Sequence, residues 1–149
     1  MGPDPLKNLG IKEFAERIKS KKYWPIKSTL MDQEVLAGIG NIYSDEILWA
    51  SGVHPLSRSA KIPERVMRLM FSNCKTILNK SIKLGGDSMS DYRNAYGQKG
   101  GFQNYHKAYR KTGENCTKNS CLNKIGAIIK RIVIRGRSAH FCPVHQIKY

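Results

Sequence analysis

Acidic side chains are scarce in this chain. Its 149 residues hold 11 Asp and Glu against 26 Lys and Arg, a formal charge of +15. From Asn115 to Tyr149 there is no acidic side chain at all. A balance this basic points to a polyanionic partner, nucleic acid before membrane, and says little about fold. A basic protein without such a partner is the competing reading. Long apolar runs are lacking too. None approaches the ~20 residues that span a bilayer, and the amino terminus has no apolar signal-peptide core. The expectation is a cytoplasmic, nucleoid-associated monomer with no signal peptide and no membrane attachment. There is no internal repeat or low-complexity tract. Cysteine is sparse: Cys74 stands alone in a helical pattern and reads as a small buried residue, while the other three lie near the carboxyl end. Without a secretion signal, those three favour metal over disulfides.

What the chain does contain is organised around Met31–Leu48. Two helical segments are expected to flank a turn, Gly38-Ile39-Gly40-Asn41. Both glycines permit positive φ and close approach of backbone. Asn41 can cap the helix from Ile42 to Ala50, where Ile42, Tyr43, Ile47 and Leu48 recur at helical spacing. A glycine turn running into a helix start aims N–H groups at one spot, which suits an anion such as phosphate. An ordinary helical hairpin whose glycines serve only the turn fits these residues as well.

Before this stretch, Ile11–Lys22 reads as an amphipathic helix with Phe14 and Ile18 inward, closed by Lys19, Lys21 and Lys22 and broken at Trp24-Pro25. Lys27 begins the next helix, with Ser28 or Thr29 as cap. After it, Val53–Ile62 is a loop in which His54 reads as structural. Pro63 opens a long helix to about Leu84 with a core stripe of Val66, Leu69, Met70, Cys74, Ile77 and Leu78. Residues 87–112 have weak periodicity and read as a long loop or linker. Lys99, Phe102, Tyr105, Lys107, Tyr109, Arg110 and Lys111 interleave charge and rings there, which suits nucleic acid and equally suits a packed linker.

The carboxyl end carries Cys116-x4-Cys121 and, twenty residues on, Cys142-Pro143-Val144-His145. Thiolates and an imidazole in two short pairs suit tetrahedral zinc. Between the pairs, Ala127-Ile128-Ile129 and Ile132-Val133-Ile134 alternate with Lys130 and Arg131, and Gly136 supplies a turn, so a β-hairpin finger is expected. A unit this short cannot build a sufficient core, so metal would supply much of its folding energy. His140 competes with His145 as fourth ligand but shares a strand face with Cys142, a poorer arrangement.

Several of these stretches carry a family resemblance. Leu30-Met31-Asp32-Gln33, Ala37-Gly38-Ile39-Gly40-Asn41-Ile42-Tyr43 and Asp45-Glu46 closely resemble the helix–two-turns–helix motif of the formamidopyrimidine-DNA glycosylase and endonuclease VIII family. Met1–Leu6 resembles the lead into that domain, Ala50–Pro55 its exit, residues 97–109 the lesion-facing loop, and Arg137-Ser138-Ala139-His140-Phe141-Cys142 the finger signature. The resemblance implies a mainly α fold with a small β-hairpin zinc finger. The helix–two-turns–helix domain takes residues 1–110, with a loop from about 85, and the finger 111–149. It implies a cofactor, Zn2+, on Cys116, Cys121, Cys142 and His145. It also implies duplex DNA with a damaged base or abasic site as partner, gripped by Lys27, Gly38, Gly40, Asn41 and Arg137. Arg137 matches the family arginine that contacts phosphates at the lesion and has a part assigned in the second elimination. The family's finger has two Cys-x2-Cys pairs, so the longer first pair and His145 depart from the pattern.

The resemblance covers only the carboxyl-terminal half of the family. The complete enzymes attack the sugar C1′ with an amino-terminal proline followed by glutamate, release an oxidised base flipped from the stack, and cut the strand by β- and δ-elimination. Here the chain begins Met1-Gly2-Pro3-Asp4, and Pro3 offers no free amine. The expectation is the lesion-recognising part of a base-excision glycosylase and AP lyase for oxidised bases, purines such as 8-oxoguanine foremost, inactive by itself. The competing function is a non-catalytic nucleic-acid-binding finger module for RNA or structured DNA.

Overall fold

A computed structural model describes residues 1–86 and 100–149. Tyr92 and Arg93, which also resemble the family's lesion-facing segment, and residues 97–99 of that expected loop, Lys99 included, fall outside the described residues. Four α-helices come first: α1 (Ile11–Lys19), α2 (Ile26–Met31), α3 (Asn41–Ser51) and α4 (Glu64–Lys83). A two-stranded antiparallel sheet follows, β1 (Lys130–Ile134) with β2 (Arg137–Phe141). None of the described helices is long and apolar enough to cross a membrane.

Helix α1 buries Phe14 and Ile18, one turn apart on one face. It ends at Lys19 rather than Lys22 because the Ser20 hydroxyl donates to the Arg17 carbonyl at 2.6 Å and the chain turns toward Pro25. Helix α2 has no side-chain cap from Ser28 or Thr29. Its first amides, Ile26 and Lys27, donate instead to the carbonyls of Ser57 and Pro55, at 2.7 and 3.2 Å. Pro63 precedes α4 as its N-cap residue. The α4 stripe is Val66, Met67, Met70, Cys74 and Leu78. Met67 takes the core place that spacing gives to Leu69, which is 46% exposed.

Helix α3 lies at the centre. Seven of its residues, Ser44 to Trp49 and Ser51, are buried, so it is enclosed on nearly all sides and shows little amphipathic contrast. Ile47 and Leu48 join the main core with Phe14, Ile26, Leu30, Leu36 and Met70. Trp49 belongs to a second cluster with Ala108, Ala127, Ile129 and the three carboxyl-terminal cysteines. The finger is thereby packed directly on α3. A parallel bridge between Val53 and Ile147 and a bond from the Gln146 side chain to the Val53 carbonyl, 2.9 Å, draw the chain's last residues along the end of α3.

Candidate functional site

Between α2 and α3 the chain makes two successive turns, so the helical part before the glycines stops at Met31. The Gln33 side chain staples them. Its Oε1 accepts the Gly38 N–H at 2.9 Å and its Nε2 donates to the Ile39 carbonyl at 3.0 Å. Residues near the amino terminus brace them from outside: Gly2 N–H donates to the Gln33 carbonyl at 2.7 Å, and Ala37 N–H to the Pro3 carbonyl at 2.9 Å. A Cβ at Gly2 would lie 2.6 Å from the Val35 carbonyl oxygen, so only glycine fits there.

Of the turn glycines, Gly38 takes φ +88°, which requires glycine, whereas Gly40 is extended, with φ −108° and ψ −160°. A Cβ at either would meet nothing within 4 Å, so both face open space. Asn41 is the first residue of α3 rather than its cap, and Gly40 holds the cap position. The Asn41 Oδ1 is buried with no hydrogen-bond partner among the described residues. Its backbone carbonyl accepts the Lys27 ammonium at 2.9 Å.

Lys27 is placed differently from a surface phosphate contact. Its side chain is fully buried, and its Nζ lies 2.6 Å from Asp45 Oδ1. Burial pushes its pKa down, Asp45 pulls it back, and Arg137 nearby pushes it down again. The other Asp45 oxygen accepts from His140, through the ring Nδ1–H at 2.8 Å and the backbone N–H at 3.1 Å. His140 is thus committed to Asp45 and is not a metal donor. One buried carboxylate joins α2, α3 and β2.

Arg137, at the start of β2, is exposed and has no ion-pair partner among the described residues. Together with Trp24, Lys27, Ser28, Met31, Asp32, Ile134 and Arg135 it lines a cavity of about 390 Å³ between α2 and the hairpin tip. The structure therefore brings Lys27 against both Asn41 and the Arg137 cavity. It also gives a position to a residue that the sequence carries inside the motif with no role attached. Glu46 is buried, and its two oxygens accept the backbone N–H groups of Lys107, Ala108 and Tyr109 at 2.6, 3.0 and 2.8 Å. Burial pushes its pKa up, against those three bonds. Its place in the Asp45-Glu46 pair of the motif, beside apolar Ile47, was the available signal.

Cys116, Cys121, Cys142 and His145 converge, their donor atoms all within 4.8 Å of one another, and form a possible metal-binding site. Cys121 Sγ lies 3.8 Å from Cys142 Sγ, far beyond a disulfide bond. The His145 Nδ1 is 3.5 Å from Cys116 Sγ and 3.4 Å from Cys121 Sγ. Its Nε2–H donates to the Trp49 carbonyl of α3 at 2.9 Å, which fixes the tautomer with Nδ1 toward the thiols. Burial, with Lys118 nearby, pushes the His145 pKa down against the bond to Trp49, the direction that favours the neutral ring a ligand needs. Burial and then the neighbouring thiols push Cys121 up to about 11. A cation bound there would have to displace protons.

Comparison with known proteins gives a consistent result. Residues 1–93 match the family described as "Formamidopyrimidine-DNA glycosylase H2TH domain". The chain is 42% identical over 147 residues to a formamidopyrimidine-DNA glycosylase of Herpetosiphon aurantiacus, covering 98% of this chain and 51% of that protein. It is 38% identical over 145 residues to one from Streptococcus pneumoniae, covering 96% and 50%. Among solved structures it resembles the Lactococcus lactis Fpg in complex with DNA containing an abasic site, with a TM-score of 0.85 at 40% identity, covering 99% of this chain and 52% of that one. It also resembles the MutM (Fpg) protein of Thermus thermophilus, with a TM-score of 0.88 at 34% identity, covering 100% and 55%. The chain spans about half the length of the curated relatives it matches.

Proposed function

Since the chain belongs to the formamidopyrimidine-DNA glycosylase family, we propose that it is the lesion-recognising, DNA-binding part of a base-excision glycosylase and AP lyase. The substrate would be duplex DNA carrying oxidised bases, purines foremost, or the abasic site left by their removal. The observation that carries this reading is the Lys27–Asp45–His140 bridge. It makes one frame of the open Gly38–Asn41 turn and the strand that presents Arg137. Phosphates would meet turn amides and the Asn41 side chain on one side and a bidentate guanidinium on the other. Lys27 supports this surface from beneath, through the Asn41 carbonyl. In this reading residues 1–110 and 111–149 are two lobes of a monomer acting on one stretch of backbone, in the cytoplasm at the nucleoid. Arg137 is also the residue here with a claim on the elimination step.

We assign the metal as zinc. A tetrahedron with zinc–ligand bonds of ordinary length has S···S edges of about 3.8 Å and S···N edges of about 3.5 Å. Three of the six donor separations, 3.8, 3.5 and 3.4 Å, match those edges, and all six lie within 4.8 Å. Four protein donors close the coordination sphere, so zinc here would crosslink the finger and take no part in chemistry.

Among the described residues no nucleophile is assigned. Pro3 nitrogen lies in a peptide bond. The test is borohydride trapping on an abasic duplex run beside a gel shift. Binding that prefers the abasic duplex over intact duplex and RNA, without a covalent adduct, is the expected result. Equal affinity for all three would sink lesion recognition. An adduct would mean that an amine of this chain is the nucleophile. Arg137→Ala should weaken duplex binding and lower the salt slope by about one charge.

A further inference from the structure

The turn that precedes Arg137 rests on an aromatic ring of the helical lobe. β1 and β2 pair in register from Lys130↔Phe141 to Ile134↔Arg137, leaving a two-residue turn of Arg135 and Gly136. Their φ values, +48° and +78°, are those of a tight mirror-image hairpin turn. Glycine adopts such a φ freely, but arginine does so at a cost. The Arg135 guanidinium lies over the Trp24 indole, 4.2 Å from its centroid. Trp24 is held in turn. Its carbonyl accepts from the Ser59 N–H and hydroxyl, each at 3.1 Å, and the adjacent Pro25 bridges to Arg58. Lys21 sits over the same ring at 4.5 Å and pairs with Asp32 at 3.6 Å. Arg137 lines the cavity at whose edge this stack stands.

We propose that Arg135 is a positioning residue: clamped on Trp24, it sets the hairpin tip so that Arg137 is aimed before DNA arrives. The inference rests on the reading of Arg137 as a phosphate contact. Much of β1 is exposed, with Lys130, Arg131 and Val133 all facing solvent; Ile134 is buried beneath the turn, and beyond it the Arg135–Trp24 stack is the contact that holds the tip residues themselves. Stacking engages the face of the guanidinium, and the cation–ring attraction is strongest for tryptophan. An arginine used in this way improves affinity by preorganisation and not by neutralising a phosphate.

The experiment measures binding of a duplex with an abasic-site analogue across a range of salt. The proteins are the parent chain, Arg135→Ala, Trp24→Leu, Trp24→Phe, Arg137→Ala and the double variant Arg135→Ala/Arg137→Ala. Arg135→Ala and Trp24→Leu should each weaken binding roughly two- to fivefold with the salt slope unchanged. Trp24→Phe keeps a ring and should keep most of the affinity. In the Arg137→Ala background, Arg135→Ala should have no further effect, because it acts through Arg137. Additive losses in the double variant would overturn the proposal, as would a slope reduced by about one charge in Arg135→Ala, which would make Arg135 itself a phosphate contact. If Arg137→Ala leaves both affinity and slope unchanged, the phosphate reading fails first. If it weakens binding while Arg135→Ala does nothing, the positioning role alone fails.

Discussion

Asp45 shows how much one side chain can carry. Its carboxylate is fully buried and takes three donors, the Lys27 ammonium and two N–H groups of His140. A buried charge is tolerable only while it is paired, and removing one partner leaves the other unpaired. Asp45→Ala would leave the Lys27 ammonium with the Asn41 carbonyl and should cost about 3–5 kcal/mol in denaturant unfolding. Replacing Lys27 by Met in the same protein should recover most of that loss, because the stranded cation is then gone. A single variant within about 0.5 kcal/mol of the parent would show that water or rearrangement already solvates this charge. None of this bridge was legible in the sequence. The partners of Asp45 lie 18 and 95 residues away, and His140 could be weighed only as a metal donor because it stands beside Cys142. The convergence of the candidate metal donors was legible because each pair is local: Cys116 with Cys121, and Cys142 with His145.

At the scale of elements, α3 is the member on which the others converge. It contributes Ile47 and Leu48 to the main core, Trp49 to the finger's core, and Glu46 to the backbone of Lys107, Ala108 and Tyr109. Glu46→Ala removes an acceptor from three backbone amides at once. Hydrogen exchange at Lys107, Ala108 and Tyr109 should quicken by about 10- to 100-fold, with amides inside α1 unchanged. Equal exchange in parent and variant would show that this segment is held by other contacts. Helical periodicity located α1, α3 and α4, because apolar residues recurring every three or four positions make one face. It placed the α4 stripe imperfectly, since Met67 and Leu69 both satisfy an apolar pattern and only packing against neighbours selects Met67. The two turns were read as one because Gln33 closes them with its side chain, a contact that periodicity does not register.

At the scale of the molecule, a finger that owes much of its folding energy to metal would, if merely appended, unfold on chelation before the helices. Its packing couples the two. His145 holds the Trp49 carbonyl, Lys118 donates to the Ala50 carbonyl at 2.9 Å, and His140 closes on Asp45. Removing the metal should therefore change Trp49 fluorescence and lower the helical circular-dichroism signal within the same thermal transition as the finger. Helices that melt unchanged after chelation would show two independent units, and a protein indifferent to chelators would remove the metal from the account. The donor set has one more consequence. A divalent ion on three thiolates and a neutral imidazole has a formal charge of −1, where four thiolates would give −2. Residues 115–149 contain no acidic side chain, so the metal complex is where that region's side chains would concentrate negative charge. By placing histidine where the family pattern has cysteine, the chain would halve the anionic charge that a metal-loaded finger carries toward the proposed DNA partner.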